Sequence, residues 1–235
     1  MNEIIAAGLA QLGLTAPPHA ADQLAQYGQM LLEKNQVMNL TAIREPEQVA
    51  QLHMLDCAAL AGMADFSGKT LIDVGTGAGF PGLPLKILCP TLEVTLLDSL
   101  NKRLEWLEEV AASLSLEGVR TVHARAEEQA LVKGFRDSFD FATARAVADL
   151  RLLCELCLPY VRPGGTFLAM KSTGSDQELT DAAHAIQLLG GRVRDIRDYT
   201  IPGTQIVHRV VCIQKVAPTL KGYPRRWAKI QKMPL

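Results

Sequence analysis

A chain of 235 residues that is 48% apolar and 21% charged suits one large α/β domain with a modest extension. Its formal net charge of −1 excludes a generic polyanion binder, and no apolar run reaches the roughly 20 residues of a membrane span. The start MNEIIAAGLAQLGL lacks the basic cluster of a secretory leader, so the cytoplasm is the expected location.

Residues 1 to 65 read as a helical extension. Leu9, Leu12, Leu24, Leu31 and Leu32 keep helical spacing, and Pro17-Pro18 divides them into two segments. Asn39-Leu40-Thr41 interrupts the pattern, and a further helix is expected from Glu45 to Ala61 with Pro46 in its first turn. Residues 66–217 then alternate between strand and helix. Thr70–Val74, Val94–Leu97, Val119–His123, Phe139–Ala144 and Thr166–Met170 are strand candidates; Pro84–Leu88 and Lys102–Leu114 are helical. Such alternation predicts a mostly parallel, doubly wound sheet. Val193–Thr200 and Gln205–Val216 flank Ile201-Pro-Gly-Thr204 and read as a terminal antiparallel hairpin. This is the arrangement of a Rossmann-like class I methyltransferase. Residues 218–235 form a basic tail: Lys215, Lys221, Arg225, Arg226, Lys229 and Lys232 occur with no acid from Lys215 onward. It reads either as a contact for nucleic acid or as a solvated terminus. The five cysteines form no disulfide framework, and the lone Cys154-x-x-Cys157 reads as buried core, with no metal site expected.

The strand Thr70–Val74 ends in Gly75, Gly77 and Gly79, where bare backbone can approach a ligand at the sheet's carboxyl edge. Two cofactors can claim this loop. Gly75-x-Gly77-x-Gly79 fits S-adenosylmethionine enzymes, and Gly77, Gly79 and Gly82 fit the dinucleotide pattern of NAD-dependent oxidoreductases. Asp73, two residues before the first glycine, would repel a pyrophosphate. Asp98 at the end of the second strand can accept from ribose hydroxyls, and Ala126-Glu127 follows the third strand. These acids favour the sulfonium cofactor. Each has a bland alternative: Asp73 bonds its own turn, Asp98 caps the next helix, and Glu127 is a first-turn acid.

The wording DVGTGAGFPGLPL (Asp73–Leu85) resembles the RsmG (GidB) family of bacterial 16S ribosomal RNA guanine-N7 methyltransferases. The likeness continues in LLDSLNKRLEWLEEV, ARAEE, FDFATARAVADL, PYVRPGGTFLAMKS, the tail YPRR…KMPL and, upstream, NLTAIREPEQVAQLHMLD. The resemblance implies S-adenosylmethionine as cofactor, with Gly75 and Phe80 at its border, Asp98 on the ribose and Ala126 with Glu127 on the adenine side. Arg145 would stand at the mouth of the site. His53, Lys171, Arg225 and Arg226 are candidates for the RNA-facing surface, although His53 has Asp56 three residues on as a simpler partner. The substrate implied is 16S rRNA in the decoding region, within the small ribosomal subunit or its precursor. One departure is the stretch Arg226–Lys232, which lacks the family's usual Gly and Pro; its Trp227 can stack on a base or pack on the domain. Guanine N7 is a lone pair with no proton to remove, so no catalytic base is assigned. The sequence also lacks an Asn/Asp-Pro-Pro-aromatic tetrapeptide and a Pro-Cys nucleophile. The remaining readings are a methyltransferase for a small molecule or another RNA atom, an oxidoreductase, and a non-catalytic ribosome-binding protein.

Overall fold

Strand residues alternate between the two faces of a sheet, so a strand buried on both faces is apolar throughout. The computed structural model describes residues 1–145 and 148–235. Its strands are β1 (Thr70–Val74), β2 (Glu93–Asp98), β3 (Val119–His123), β4 (Phe139–Arg145), β5 (Val161–Ser172), β6 (Gly191–Thr200) and β7 (Val207–Lys215). They form one sheet in the order β3-β2-β1-β4-β5-β7-β6. Pairings from β3 through β5 are parallel. The expected hairpin is present, and β7 inserts antiparallel between β5 and β6.

Helices cover both faces. Leu71, Leu96, Leu168 and Val210 join the cluster on one side, while their neighbours Ile72, Leu97, Phe167 and Val211 join the other. The first face carries α1 (Asn2–Gln11), α2 (Ala20–Met38), α5 (Gly82–Leu88) and α6 (Asn101–Ser113). It also carries a helical run that begins as α3 (Pro46–Val49) with Pro46 in its first turn. The single helix expected there changes pitch along its length. A π turn spans Ala50–Leu55, α4 is Asp56–Ala58, and a 3-10 turn Ala59–Gly62 ends the run. The remaining helices are α7 (Ala126–Gln129), α8 (Leu150–Cys157), α9 (Asp176–Leu188) and α10 (Trp227–Lys232). Cys154 and Cys157 of α8 are buried and unbridged, as expected of small core residues. No helix among the described residues is long and apolar enough to cross a membrane.

Strand β5 starts at Val161, five residues before the expected Thr166, and runs through Pro163-Gly-Gly165. A register shift between Phe139 and Phe141 accommodates that stretch, which looks like a turn in the sequence. The tail differs more. Lys215 is fully buried and its Nζ donates to Asp137 (2.7 Å), Thr219 Oγ1 (2.6 Å) and the carbonyls of Leu158 and Val161 (2.7 and 3.2 Å). Arg136 donates to the carbonyls of Thr219, Leu220 and Tyr223. The chain beyond the sheet is therefore tied to the domain; Lys221, Arg226, Lys229 and Lys232 stay exposed.

The loop after β1 is held from the N-terminal extension. Tyr27 of α2 is fully buried and its hydroxyl donates to the Ala78 carbonyl. Gly79 has φ +87°, and a Cβ there would meet the Tyr27 hydroxyl and Leu107 Cδ2 at 2.8 Å. Gly79→Ala combines left-handed strain with overpacking and is expected to lower stability by about 3 kcal/mol. A denaturant midpoint equal to wild type would show that neither constraint holds.

Candidate functional site

The carboxyl ends of β1, β2 and β4 meet where the sheet's connections change direction, the position at which open α/β sheets bind ligands. Gly75, Gly77 and Gly79 all have positive φ (70°, 58° and 87°), so the loop after β1 takes a path that side chains disfavour. Gly77 faces open space: a Cβ there would meet nothing closer than the Gly75 carbonyl oxygen at 3.9 Å. Asp73 lies beneath this loop, fully buried and outside the cleft lining. Its Oδ2 accepts from Thr76 Oγ1 (2.7 Å) and from the Gly82 amide (2.9 Å), fixing both ends of the turn. Among the described residues its Oδ1 has no partner. Burial lifts its carboxyl to about 6, against the pull of Thr76 and Gly82. Gly82, the last glycine of the dinucleotide pattern, packs on Asp73 and Leu96.

A cleft of about 530 Å³ opens above the loop, lined by Gly75, Gly77, Phe80, Asp98, Ala126 and Glu127, with His53 and Arg145 at one end. Gly79 is not in this lining. Asp98 Oδ2 accepts from the Gly77 amide (2.9 Å), and its Oδ1 accepts from the Leu100 amide (2.9 Å) that precedes α6. Asp98 thus holds the turn that leads into α6, with no side-chain cap on the helix itself, and borders the cleft. Glu127 is buried and 3.4 Å from Arg125 Nε. The acid rim is only half of the electrostatics. Arg103, Arg125 and Arg145 also line the cleft, each paired with an acid: Asp98, Glu127 and Asp56.

Arg145, at the end of β4, organises the mouth. Its Nη1 donates to Asp56 Oδ2 and to the Leu52 carbonyl, both at 3.0 Å, and its Nη2 donates to His53 Nδ1 at 2.9 Å. The guanidinium carbon lies 4.8 Å from the Phe80 ring centre, and His53 stacks on the same ring at 4.6 Å. A guanidinium only donates, so His53 Nδ1 accepts and Nε2 carries the proton toward Thr41 Oγ1, 2.8 Å away. Burial first, then the Arg145 charge, lowers His53 to about 3, which keeps it neutral. Asp56 is buried, and its Oδ1 accepts from Tyr199 (2.7 Å) and from His208 Nδ1 (2.8 Å). Burial pushes this carboxyl up, but His208, Arg145 and Tyr199 together hold it below the usual carboxylate range. The same hydrogen bond raises His208.

His53 and Arg145 also border a second cleft of about 470 Å³, with Asp56, Met170, Lys171 and His208 around it. Lys171 Nζ binds Glu178 (2.6 Å) and the Ala148 carbonyl (3.1 Å). The other two cations expected to face RNA lie elsewhere. Arg225 forks onto buried Glu155, with contacts of 2.6 to 3.1 Å, and Arg226 is exposed. His53 meets Arg145 and Thr41, and its simpler sequence partner Asp56 serves Arg145 instead. Tyr199 and His208 escaped the sequence reading: each is a lone polar residue on a strand, and only the register opposing Tyr199 to His208 assembles them. Among the described residues no group of three or more His, Cys, Asp or Glu side chains is placed to hold a metal ion.

The profile of the rRNA small subunit methyltransferase G family (GidB) matches residues 20–207. A Ribosomal RNA small subunit methyltransferase G from Lachnoclostridium phytofermentans is 46% identical over 100% of this chain and 97% of its own length. A protein of the same name from Clostridium perfringens (strain 13 / Type A) is 46% identical over 89% of this chain and 88% of its own. Among solved structures, TrmN from Thermus thermophilus aligns with TM-score 0.52 and 25% identity, over 68% of this chain and 48% of that one. This chain therefore spans about half the length of TrmN.

Asp73 gives the site a pH signature. Its folded value of about 6 lies above its ordinary 3.8, so between these values the folded chain keeps a proton that the unfolded chain has lost. Its contribution to stability is full below pH 4 and is lost as pH rises through 6. From pH 4 to 7, wild type is expected to lose on the order of 3 kcal/mol relative to Asp73→Asn. Parallel urea titrations of the two proteins across that range measure the difference. A constant gap would show that the carboxyl titrates normally.

Proposed function

This chain belongs to the rRNA small subunit methyltransferase G family, and from that membership we propose that it methylates N7 of a guanine in 16S ribosomal RNA, with S-adenosylmethionine as donor. The observation that carries the reading is the pair of clefts that share His53 and Arg145. The first suits the cofactor: open backbone at Gly77, Gly75 in the lining, Asp98 for ribose hydroxyls, and Glu127 with Ala126 for the adenine end. The second takes the target base. When bound, the cofactor would supply an electrophilic sulfonium methyl; the N7–carbon bond would form as the carbon–sulfur bond breaks, its electron pair leaving with sulfur as a neutral thioether.

The chain's own residues then position and tune rather than move protons. Both His53 nitrogens are committed, both Asp56 oxygens are occupied, and Lys171 is tied to Glu178. His208 is drawn toward its protonated form by Asp56, so it is not a ready proton acceptor. An N7 acceptor needs none of them as a base. Methylation leaves the purine cationic. A neutral His53 adds no second charge beside it, and Asp56 compensates Arg145. Phe80 packs against both shared residues, His53 and Arg145, and its ring face suits a cation.

The partner proposed is 16S rRNA within the small subunit or its precursor, in the cytoplasm. Residues 1–65 act as an extension that anchors the cofactor loop, 66–217 as the catalytic core, and 218–235 as a tail whose exposed Arg226, Lys221, Lys229 and Lys232 meet phosphates. His53 and Lys171 contribute at the second cleft. Radiolabelled methyl transfer onto small subunits, followed by nuclease digestion, is expected to yield N7-methylguanosine, with intact subunits preferred over naked RNA. Product at an exocyclic nitrogen or at carbon would overturn the N7 assignment. Asp98→Ala removes an acceptor for the ribose and is expected to raise KM for the cofactor roughly tenfold or more.

A further inference from the structure

Trp227 is left unused by that account, yet it lines the first cleft together with Asp98, Ala126 and Glu127. Three aromatic rings border this cleft among the described residues. His53 and Phe80 stack at the mouth, next to Arg145. Trp227 stands at the other end. Arg125 marks the place: its Nε is 3.4 Å from Glu127 Oε1, and its guanidinium carbon is 5.4 Å from the Trp227 ring centre. The indole is thus bracketed with the residues assigned to the adenine.

The ring is not at the end of a loose tail. The Arg225 amide and guanidinium both donate to Glu155, a fully buried carboxylate on α8. Arg136 holds three carbonyls between Thr219 and Tyr223, and Ile230 is fully buried in the second apolar cluster. Trp227 itself is half-buried, with part of its surface on that cluster and part on the cleft. A purine needs a flat apolar wall and a polar edge, and this end of the cleft offers an indole beside Glu127.

We infer that Trp227 forms the adenine-side wall of the cofactor cleft, making the C-terminal segment part of the cofactor site. The inference rests on the reading that this cleft takes S-adenosylmethionine. Glu155 and Arg225 act through the ring as positioning residues, because they fix the backbone two residues before it. Loss of the wall weakens any ligand that carries the adenosine moiety.

Calorimetry with S-adenosylhomocysteine and 5′-methylthioadenosine tests this. Trp227→Ala is expected to weaken both ligands by a common factor of about ten, and Trp227→Phe to restore most of the affinity with its flat ring. The chain has two tryptophans, and Trp106 is buried against Tyr27. S-adenosylhomocysteine should therefore change the intrinsic fluorescence of wild type, and Trp227→Phe should abolish that change while still binding. Equal affinity of wild type and Trp227→Ala, or a fluorescence change that persists in Trp227→Phe, overturns the inference alone. A wild-type protein that binds neither ligand overturns the cofactor reading and this inference with it.

Discussion

One buried carboxylate, Asp56, joins the parts of the site that the chain supplies from distant places. It takes Arg145 from the end of β4 on one oxygen, and Tyr199 of β6 with His208 of β7 on the other. A carboxylate out of water is costly unless its lone pairs are filled, and here three donors fill them. The payoff is geometric. Arg145 is left with one face over Phe80 and one nitrogen on His53, so both clefts inherit their common wall from this one ion pair. Asp56 follows directly after the π turn that contains His53. A π turn re-aims the side chains that follow it, which suits a helix that must present His53 and Asp56 to the same arginine.

The loop after β1 is constrained in a different way. Asp73 holds it from below through Thr76 and Gly82, Asp98 holds it from the side through Gly77, and Tyr27 reaches it from α2 through Ala78. The N-terminal helices are thus coupled to the first cleft by one buried hydroxyl and by the core they share with α5 and α6. A loop pinned at three points needs little reorganisation when a ligand arrives, which favours tight positioning over induced fit.

Charge at the C-terminus shows how a sequence pattern can have two uses. Six cations without an acid suggest an open basic strand, yet Lys215 and Arg225 are spent on Asp137 and Glu155 inside the domain. Their partners lie 78 and 70 residues away in the chain, so no local window contains both ends. The four exposed cations that remain lie on a segment that is itself anchored beside the first cleft.

The sequence by itself determined the alternating strands, the closing hairpin, the glycine loop and, through its family wording, the methyl donor. These are local or repetitive features: periodicity, breakers and short motifs are written in consecutive residues. That Asp98, Ala126, Glu127 and Arg145 line one cleft was legible for the same reason, since each sits just where a recognisable strand ends. The tertiary structure decided the rest. It showed Asp73 beneath the loop, His53 kept neutral by burial and by Arg145, and the Tyr199–Asp56–His208 cluster assembled by the β6–β7 register. Desolvation and partner choice depend on what packs against a group, and packing brings together residues that the sequence holds far apart.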